Sequence, residues 1–198
     1  NLLVYTRPDC SRLGWHDTEV LIREVLTLAS HAIPPDTVDV RCQVHPLVPQ
    51  LWCDGPKMKQ VLLNLVLNAV QAMPKGGTLT LTACPSPPEI QEVPAVHITV
   101  SDTGTGIPAE LQSRVFDPFF TTKDQGTGLG LAIVHALVEA HHGRIDVESR
   151  PAHGTSFVIT LPRGPRQPSS TPVSLVTVSA PSERSRHITS ITEEKRYE

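Results

Sequence analysis

Two asparagines sit one turn apart in the most apolar helical stretch of this chain. Between Lys57 and Met73, the residues Val61, Leu62, Leu63, Leu65, Val66, Leu67, Ala69 and Val70 cover most of a helix circumference, so the helix must be largely buried. One narrow polar strip is left: Lys57, Gln60, Asn64, Asn68 and Gln71, spaced three or four apart and therefore on one face. Asparagine is a weaker helix former than Ala, Lys or Glu, so a face meant only for water would rarely choose two. Its side-chain carbonyl is a hard oxygen that suits Mg2+. The plain alternative is a solvated strip.

Three further segments carry residue types suited to a phosphorylated ligand. Asp102-Thr103-Gly104-Thr105-Gly106 directly follows an alternating apolar run. Glycines there let the backbone approach a ligand closely, and a carboxylate at a strand end can accept from an amino group such as that of adenine. The alternative is an ordinary strand-to-helix turn. Gly126-Thr127-Gly128-Leu129-Gly130-Leu131 opens a helix. Unpaired N–H groups at a helix N-terminus form an anion site, helped by the helix dipole, and Lys123 just upstream can add a point charge. The alternative is a flexible hinge. Between these lies Phe116 to Lys123, which holds three of the chain's four phenylalanines. It reads either as a loop fixed to the core or as a lid with aromatic anchors.

The elements that must position these residues follow from periodicity and punctuation. Residues 1–8 read as a helix end stopped by Pro8, and Ser11 to Trp15 as a short loop. Asp17 caps a helix from about Thr18 to His31, with Val20, Leu21, Val25 and Leu28 on its inner face. Val38 to Val44 alternates as a strand with Val38, Val40, Cys42 and Val44 on a buried side. Asp54 caps the asparagine helix, with Pro56 in its first turn. Strands follow at Thr78 to Ala83 and Val96 to Val100, then a short helix at Pro108 to Ser113 and a mobile loop over Phe116 to Gly126. A helix from Leu129 to His141 is closed by Gly143 as its C-cap. Strands at Arg144 to Ser149 and Thr155 to Leu161 complete the pattern. This order predicts a two-layer α/β sandwich, one mixed sheet covered by helices on one face. Beyond Pro162 the Pro-, Ser-, Thr- and Arg-rich composition predicts disorder, with a weak strand over Val173 to Val178.

Bulk properties narrow the function classes. The 198 residues are 39% hydrophobic and 19% charged, as in a soluble globular protein. The net charge of -3 gives no reason to expect nucleic acid or an acidic membrane surface as partner. Cys10, Cys42, Cys53 and Cys84 form no C-x-x-C pair, which argues against zinc and for reduced thiols. No apolar run is long enough to span a membrane. The chain starts at Asn1 rather than Met and reads as a piece of something longer.

Taken as a set and in this order, the motifs resemble those of the GHKL superfamily of ATPases and kinases, and within it the sensor histidine kinases of the nitrogen-regulation type. "NLVLNAVQAM" looks like the family's N box, "DTGTGI" its first glycine box, "FDPFFTTK" its F box, "GTGLGL" its second glycine box and "HGTSF" its final glycine-threonine motif. The resemblance covers about Trp15 to Pro162 and implies the Bergerat ATP-binding fold. It divides the chain into the end of a dimerisation hairpin with linker (1–14), an ATP-binding catalytic domain (15–162) and a tail (163–198). It implies ATP and Mg2+ as cofactors. Asn68 would ligate Mg2+ bridging the phosphates, and Asn64 would support it or a phosphate. Asp102 would accept from the adenine amino group, over a floor shaped by Gly104 and Gly106. Lys123 would touch the phosphates, Gly126, Thr127, Gly128, Leu129 and Gly130 would wrap them, and Thr155 would sit near the adenine side. Two departures stand out. The family usually has Asn where Thr103 stands, and many kinases have a basic residue where Gln71 stands, which puts one phosphate contact in question.

Relatives that hydrolyse ATP, such as gyrase and MutL-type proteins, carry a glutamate one turn before the metal-binding asparagine as a general base. Here that position is Asn64, which takes no proton. The resemblance therefore implies transfer of the γ-phosphate to an acceptor histidine outside this chain, on a helical hairpin whose tail "NLLVYTRP" resembles, with a response regulator downstream. His16-Asp17 lacks the acceptor's context, and His135, His141, His142 and His153 read as surface or packing histidines. The expected location is cytoplasmic, with the parent protein free to be membrane-anchored, and the isolated piece is expected to be monomeric. Two other readings stand beside this one: a nucleotide-binding regulatory module without transfer, and a protein-serine kinase of the anti-sigma-factor type.

Overall fold

The computed structural model describes residues 12–86, 94–123 and 126–165. The expected helix end over 1–8, the strand over 173–178, the tail beyond 165 and Cys10 lie outside the described residues. Five strands form one mixed sheet in the order β2-β4-β5-β7-β6. They are β2 (Val38–Val44), β4 (Gly77–Pro85), β5 (Ala95–Asp102), β6 (Arg144–Arg150) and β7 (Gly154–Pro162). β2 runs parallel to β4, and the other pairs are antiparallel. The period-2 pattern explains the layering. Leu79, Leu81 and Ala83 of β4, Val96, Ile98 and Val100 of β5, and Phe157, Ile159 and Leu161 of β7 are buried. The alternate positions of β4 and β5 hold Thr78, Thr80, Thr82, His97, Thr99 and Ser101, all half-buried. One face is thus apolar and takes the helices, and the other is a threonine-rich open face.

The helix layer contains α1 (Thr18–Ala29), α2 (Gly55–Ala72) and α4 (Gly130–Ala140), with α2 between the other two and over the central strands. A single turn, α3 (Ala109–Gln112), lies near β6. Asp17 caps α1 by accepting from the Val20 N–H, and Asp54 caps α2 by accepting from the Lys57 N–H at 3.3 Å, as expected of aspartate at these positions. The face of α1 differs from the sequence reading. Thr18, Leu21, Ile22, Val25 and Ala29 are buried, while Val20 and Leu28 are exposed. The buried stripe runs through 18, 21, 22, 25 and 29, which leaves Val20 at its rim, beside a small cavity shared with Gly55, Pro56 and Lys59 of α2. β2 also departs from expectation: Val38 is buried and Val44 half-buried, but Val40 and Cys42 are exposed. It is an edge strand, and an open groove lined by Leu26, Ile33, Val38 and Val40 separates it from α1.

Two short strands escaped the periodicity. β1 (Gly14–Asp17) falls partly in the expected loop, and it pairs antiparallel with β3 (Gln50–Cys53) in a separate two-stranded sheet. Four residues are too few for a period to register. Trp15 and Trp52 face each other across this pair, ring centroids 5.4 Å apart. The end of α4 is a second correction. The left-handed residue after the helix is His142, φ 57, not Gly143. Gly143 is needed instead for close approach, since a Cβ there would lie 2.6 Å from the Thr160 carbonyl oxygen.

His141 is buried, in keeping with a packing histidine. Its Nδ1 lies 2.7 Å from the Leu137 carbonyl, and its Nε2 accepts from the Asp54 N–H at 3.0 Å. The ring therefore carries its proton on Nδ1 and ties the end of α4 to the start of α2. Replacing His141 with Phe keeps a planar aromatic ring but orphans the buried Asp54 N–H. We expect a loss of about 1–3 kcal/mol of unfolding free energy, measured by urea denaturation.

Candidate nucleotide site

The site begins where α2 ends. The Ala72 carbonyl, which a helix C-terminus leaves without an intrahelical partner, accepts from the Thr105 N–H at 3.0 Å. The loop after β5 is thereby drawn against the helix. A Cβ at Gly104 would run into that same Ala72 carbonyl, and one at Gly106 (φ 69) into the Arg150 carbonyl. Only glycine fits both places. The β6–β7 turn holds the loop from the other side. The Ala152 N–H donates to the Thr105 carbonyl at 2.8 Å. The Ser149 hydroxyl accepts from the Ile107 N–H at 2.8 Å and donates to the Gly154 carbonyl at 2.8 Å, with Thr155 Oγ1 3.0 Å away. Gln112 Nε2 donates to the Ile107 and Ser149 carbonyls.

Asp102 continues the apolar phase of β5, so its side chain points into the layer between sheet and helices and is buried. Its Oδ1 accepts from the Gly104 N–H at 2.8 Å. Burial pushes the carboxyl pKa up from the ordinary Asp value, and the backbone N–H groups of Gly104 and Thr155 pull partly against that shift. Thr103 explains its own departure from Asn: its hydroxyl accepts from the Thr78 N–H at 2.9 Å and lies against Met73 Sδ. It fastens the loop to the start of β4.

The other half of the site lies along the polar strip of α2. Asn64 and Asn68 are half-buried, while Gln60 and Gln71 are exposed. Asn64 Nδ2 is 3.5 Å from the Gly130 carbonyl, at the first residue of α4. Lys123 Nζ donates to Asn68 Oδ1 at 3.2 Å and to Gln71 Oε1 at 2.5 Å. Partial burial pushes the Lys123 pKa down. Among the described residues no side chain caps the N-terminus of α4, and nothing lies within 4 Å of a Cβ built on Gly130. The helix start is therefore open to an anion.

The phenylalanines divide. Phe116 packs on Phe157 and His135, at centroid distances of 6.2 and 5.4 Å, and Arg114 lies over the Phe120 ring at 4.8 Å. The Phe119 side chain is 69% exposed, and its backbone has φ 68. Its N–H donates to the Gly128 carbonyl at 2.9 Å. Gly128 (φ 66) brings its backbone so close that a Cβ would strike Phe119. That bond ties the two ends of the segment from 119 to 128. Gly126 donates its N–H to the Lys123 carbonyl at 3.1 Å, and Thr127 Oγ1 accepts weakly from the Leu129 N–H.

The structure therefore brings the sequence-derived residues into two groups. Asp102, Gly104, Gly106 and Thr155 form one, and Asn64, Asn68, Lys123 and Gly130 the other. Ser149 and Gln112 were missed because they belong to no motif and act through tertiary hydrogen bonds.

Residues 53–165 match the family described as histidine kinase-, DNA gyrase B- and HSP90-like ATPase, and the chain belongs to that family. Within it, the similarity is to sensor histidine kinases. The chain is 38% identical over 161 residues to the sensor histidine kinase ZraS of Escherichia coli (strain K12), covering 81% of this chain and 33% of that protein. The catalytic domain of histidine kinase ThkA superposes with a TM-score of 0.67 at 33% identity, over 77% of this chain and 96% of that domain. Full-length ShkA in complex with AMPPNP superposes with a TM-score of 0.68 at 31% identity, over 79% of this chain and 32% of ShkA. The described domain is thus an ATP-binding catalytic domain of the sensor histidine kinase type, on the mixed-sheet fold expected for it. The chain spans about a third of the length of ZraS and less than a fifth of that of sporulation kinase A of Bacillus subtilis (strain 168).

The environment of Asp102 makes a direct prediction. Its carboxyl should titrate above the usual value of about 4 in a carbon-13 NMR titration of the full chain. A folded-state pKa raised in this way stabilises the fold as pH falls from the raised value toward the ordinary one, and that contribution is lost as pH rises again. A midpoint at or below the ordinary value would mean that the Gly104 and Thr155 N–H groups outweigh burial.

Proposed function

We propose that this chain binds Mg2+-ATP between its two groups of residues and presents the γ-phosphate to a histidine on a helical hairpin of the parent protein. The observation that carries this reading is the meeting of the Asn68 carbonyl, the Lys123 ammonium and the open start of α4 along one edge of α2. Asp102 accepts from the adenine amino group, beside Thr155 and over the backbone of Gly104 and Gly106. Gly126, Thr127, Gly128, Leu129 and Gly130 offer backbone N–H groups to the phosphates, supported by the dipole of α4. Lys123 adds a positive charge.

The residues fit a magnesium ion. Asn68 Oδ1 already accepts from a cation, the Lys123 ammonium, and is the oxygen type Mg2+ takes. Among the described residues no cluster of three or more His, Cys, Asp or Glu side chains forms a metal cage. One protein oxygen, completed by phosphates and water, is the shell Mg2+ commonly keeps. Bound there, Mg2+ would neutralise charge on the phosphates. Asn64 would steady this edge through its bond to Gly130 rather than act as a base.

With Asn64 unable to take a proton from water, the site is suited to positioning more than to hydrolysis. The acceptor histidine, the hairpin that carries it and a downstream response regulator complete a two-component pathway. ThkA has been solved in complex with the response regulator TrrA, and its structure superposes on this chain with a TM-score of 0.62 at 30% identity. No helix among the described residues is long and apolar enough to cross a membrane. We place the domain in the cytoplasm, whether or not the parent protein is anchored.

Calorimetry on the 198-residue chain tests the nucleotide half of this reading. ATP should bind with a requirement for Mg2+, and Asn68→Ala should weaken Mg2+-ATP tenfold or more, about the cost of losing a charge-assisted contact. Binding unchanged in the variant would remove Asn68 from the metal. The transfer half is tested by adding the parent hairpin and following phosphate from labelled ATP. A bound nucleotide with no labelled histidine would leave a regulatory binding module.

A further inference from the structure

We infer that Gln71 is a positioning residue, whose side-chain carbonyl seats the Lys123 ammonium beside the phosphate edge. It rests on the reading that Asn68 faces the metal and the phosphates. The sequence raised a difficulty at this position, because a neutral glutamine stands where many kinases carry a base on the helix itself. The structure brings a base to the same place from another element. Lys123 Nζ lies 2.5 Å from Gln71 Oε1 and 3.2 Å from Asn68 Oδ1. Gln71 and Asn68 are three residues apart on α2 and so present their carbonyls side by side.

Charge explains why the helix residue is neutral. A lysine or arginine at position 71 would repel the Lys123 ammonium at contact distance. Glutamine offers an acceptor oxygen and a chain long enough to reach it. An ammonium has three donors. Two go to Gln71 and Asn68, and the third is available to a phosphate oxygen. The two acceptors have different fates. If Asn68 Oδ1 turns to Mg2+, the ammonium loses that bond, and Gln71 is the seat it keeps. Without Gln71, the long lysine side chain would recover its rotamer freedom and spend most of its time in solvent. The positive charge would then be present in the sequence but absent from the site.

The test is a double-mutant cycle on the full chain, read as Mg2+-ATP affinity by calorimetry. Gln71→Ala and Lys123→Ala should each weaken binding about five- to tenfold, and the double variant should be no weaker than Lys123→Ala alone. A glutamine that does not hold Lys123 would leave the two losses independent, so that they multiply in the double variant. Position 71 is exposed and helical, so alanine there should leave the thermal unfolding midpoint of the nucleotide-free chain near that of wild type. Binding by Gln71→Ala as tight as wild type would overturn the inference, as would losses that multiply in the double variant. Asn68→Ala run in parallel separates the two readings. If it leaves Mg2+-ATP binding intact, the metal assignment falls. If it weakens binding while Gln71→Ala does not, only the role of Gln71 falls.

Discussion

Helix α2 has to be buried and reachable at once, and the rest of the domain is arranged around that demand. Met58, Val61, Leu62, Leu65, Val66 and Ala69 are locked into the core. α1 and α4 flank the helix, and the sheet lies beneath it. A rotation by one residue position, about 100°, would carry Asn64 and Asn68 out of the open strip and bury unpaired amides. The direction of the two side chains is therefore set by the packing of the hydrophobic layer. Its ends are fixed as well. His141 holds the Asp54 N–H at the start, and Thr105 satisfies the Ala72 carbonyl at the finish.

The second bond also makes the glycine loop part of the helix's own termination. Gly104 has no side chain because the loop must come within hydrogen-bonding reach of Ala72, and Gly106 has none because the β6–β7 turn closes from the far side. Asp102 then sits at the end of β5 with its carboxylate buried, while the start of α4 and Lys123 lie along the helix strip. The two groups are opposite in electrical character: a buried acceptor in one, an ammonium and an open helix N-terminus in the other. A ligand with an amino-bearing ring at one end and a polyanion at the other matches that polarity.

Much of this was legible in the sequence because local rules and global packing agree. Asp17 and Asp54 announced their helices, the alternation of β4 and β5 marked two strands, and Asp102 stood out as a carboxylate directly after one of them. What escaped depends on contacts between distant residues. β1 and β3 are too short to show a period and are held by their pairing. Val20 and Leu28 fit an apolar stripe equally well until tertiary packing buries Ile22 and Ala29 instead. Gly143 looked like a helix cap, but its role is the close crossing over β7, and His142 takes the left-handed turn. Ser149 and Gln112 are plain polar residues until the turn beside them needs its backbone groups satisfied. Thr103 and Gln71 were visible only as departures from a familiar pattern, and each acquires a reason from one hydrogen-bond partner in another element.

The two-stranded sheet has a spectroscopic consequence. Trp15 and Trp52 are the chain's only tryptophans, and they lie together at 5.4 Å with Gly164 against the same pair. All intrinsic indole emission therefore comes from one spot, near the start of α2. Asn68 is thirteen residues further along that helix, about 20 Å away at the α-helical rise. A ligand beside Asn68 would be out of contact with either indole. Any change in indole emission on adding nucleotide would then report strain carried along α2 to the place where the chain enters and leaves the domain, and a silent signal would mean that the helix keeps the two ends mechanically separate.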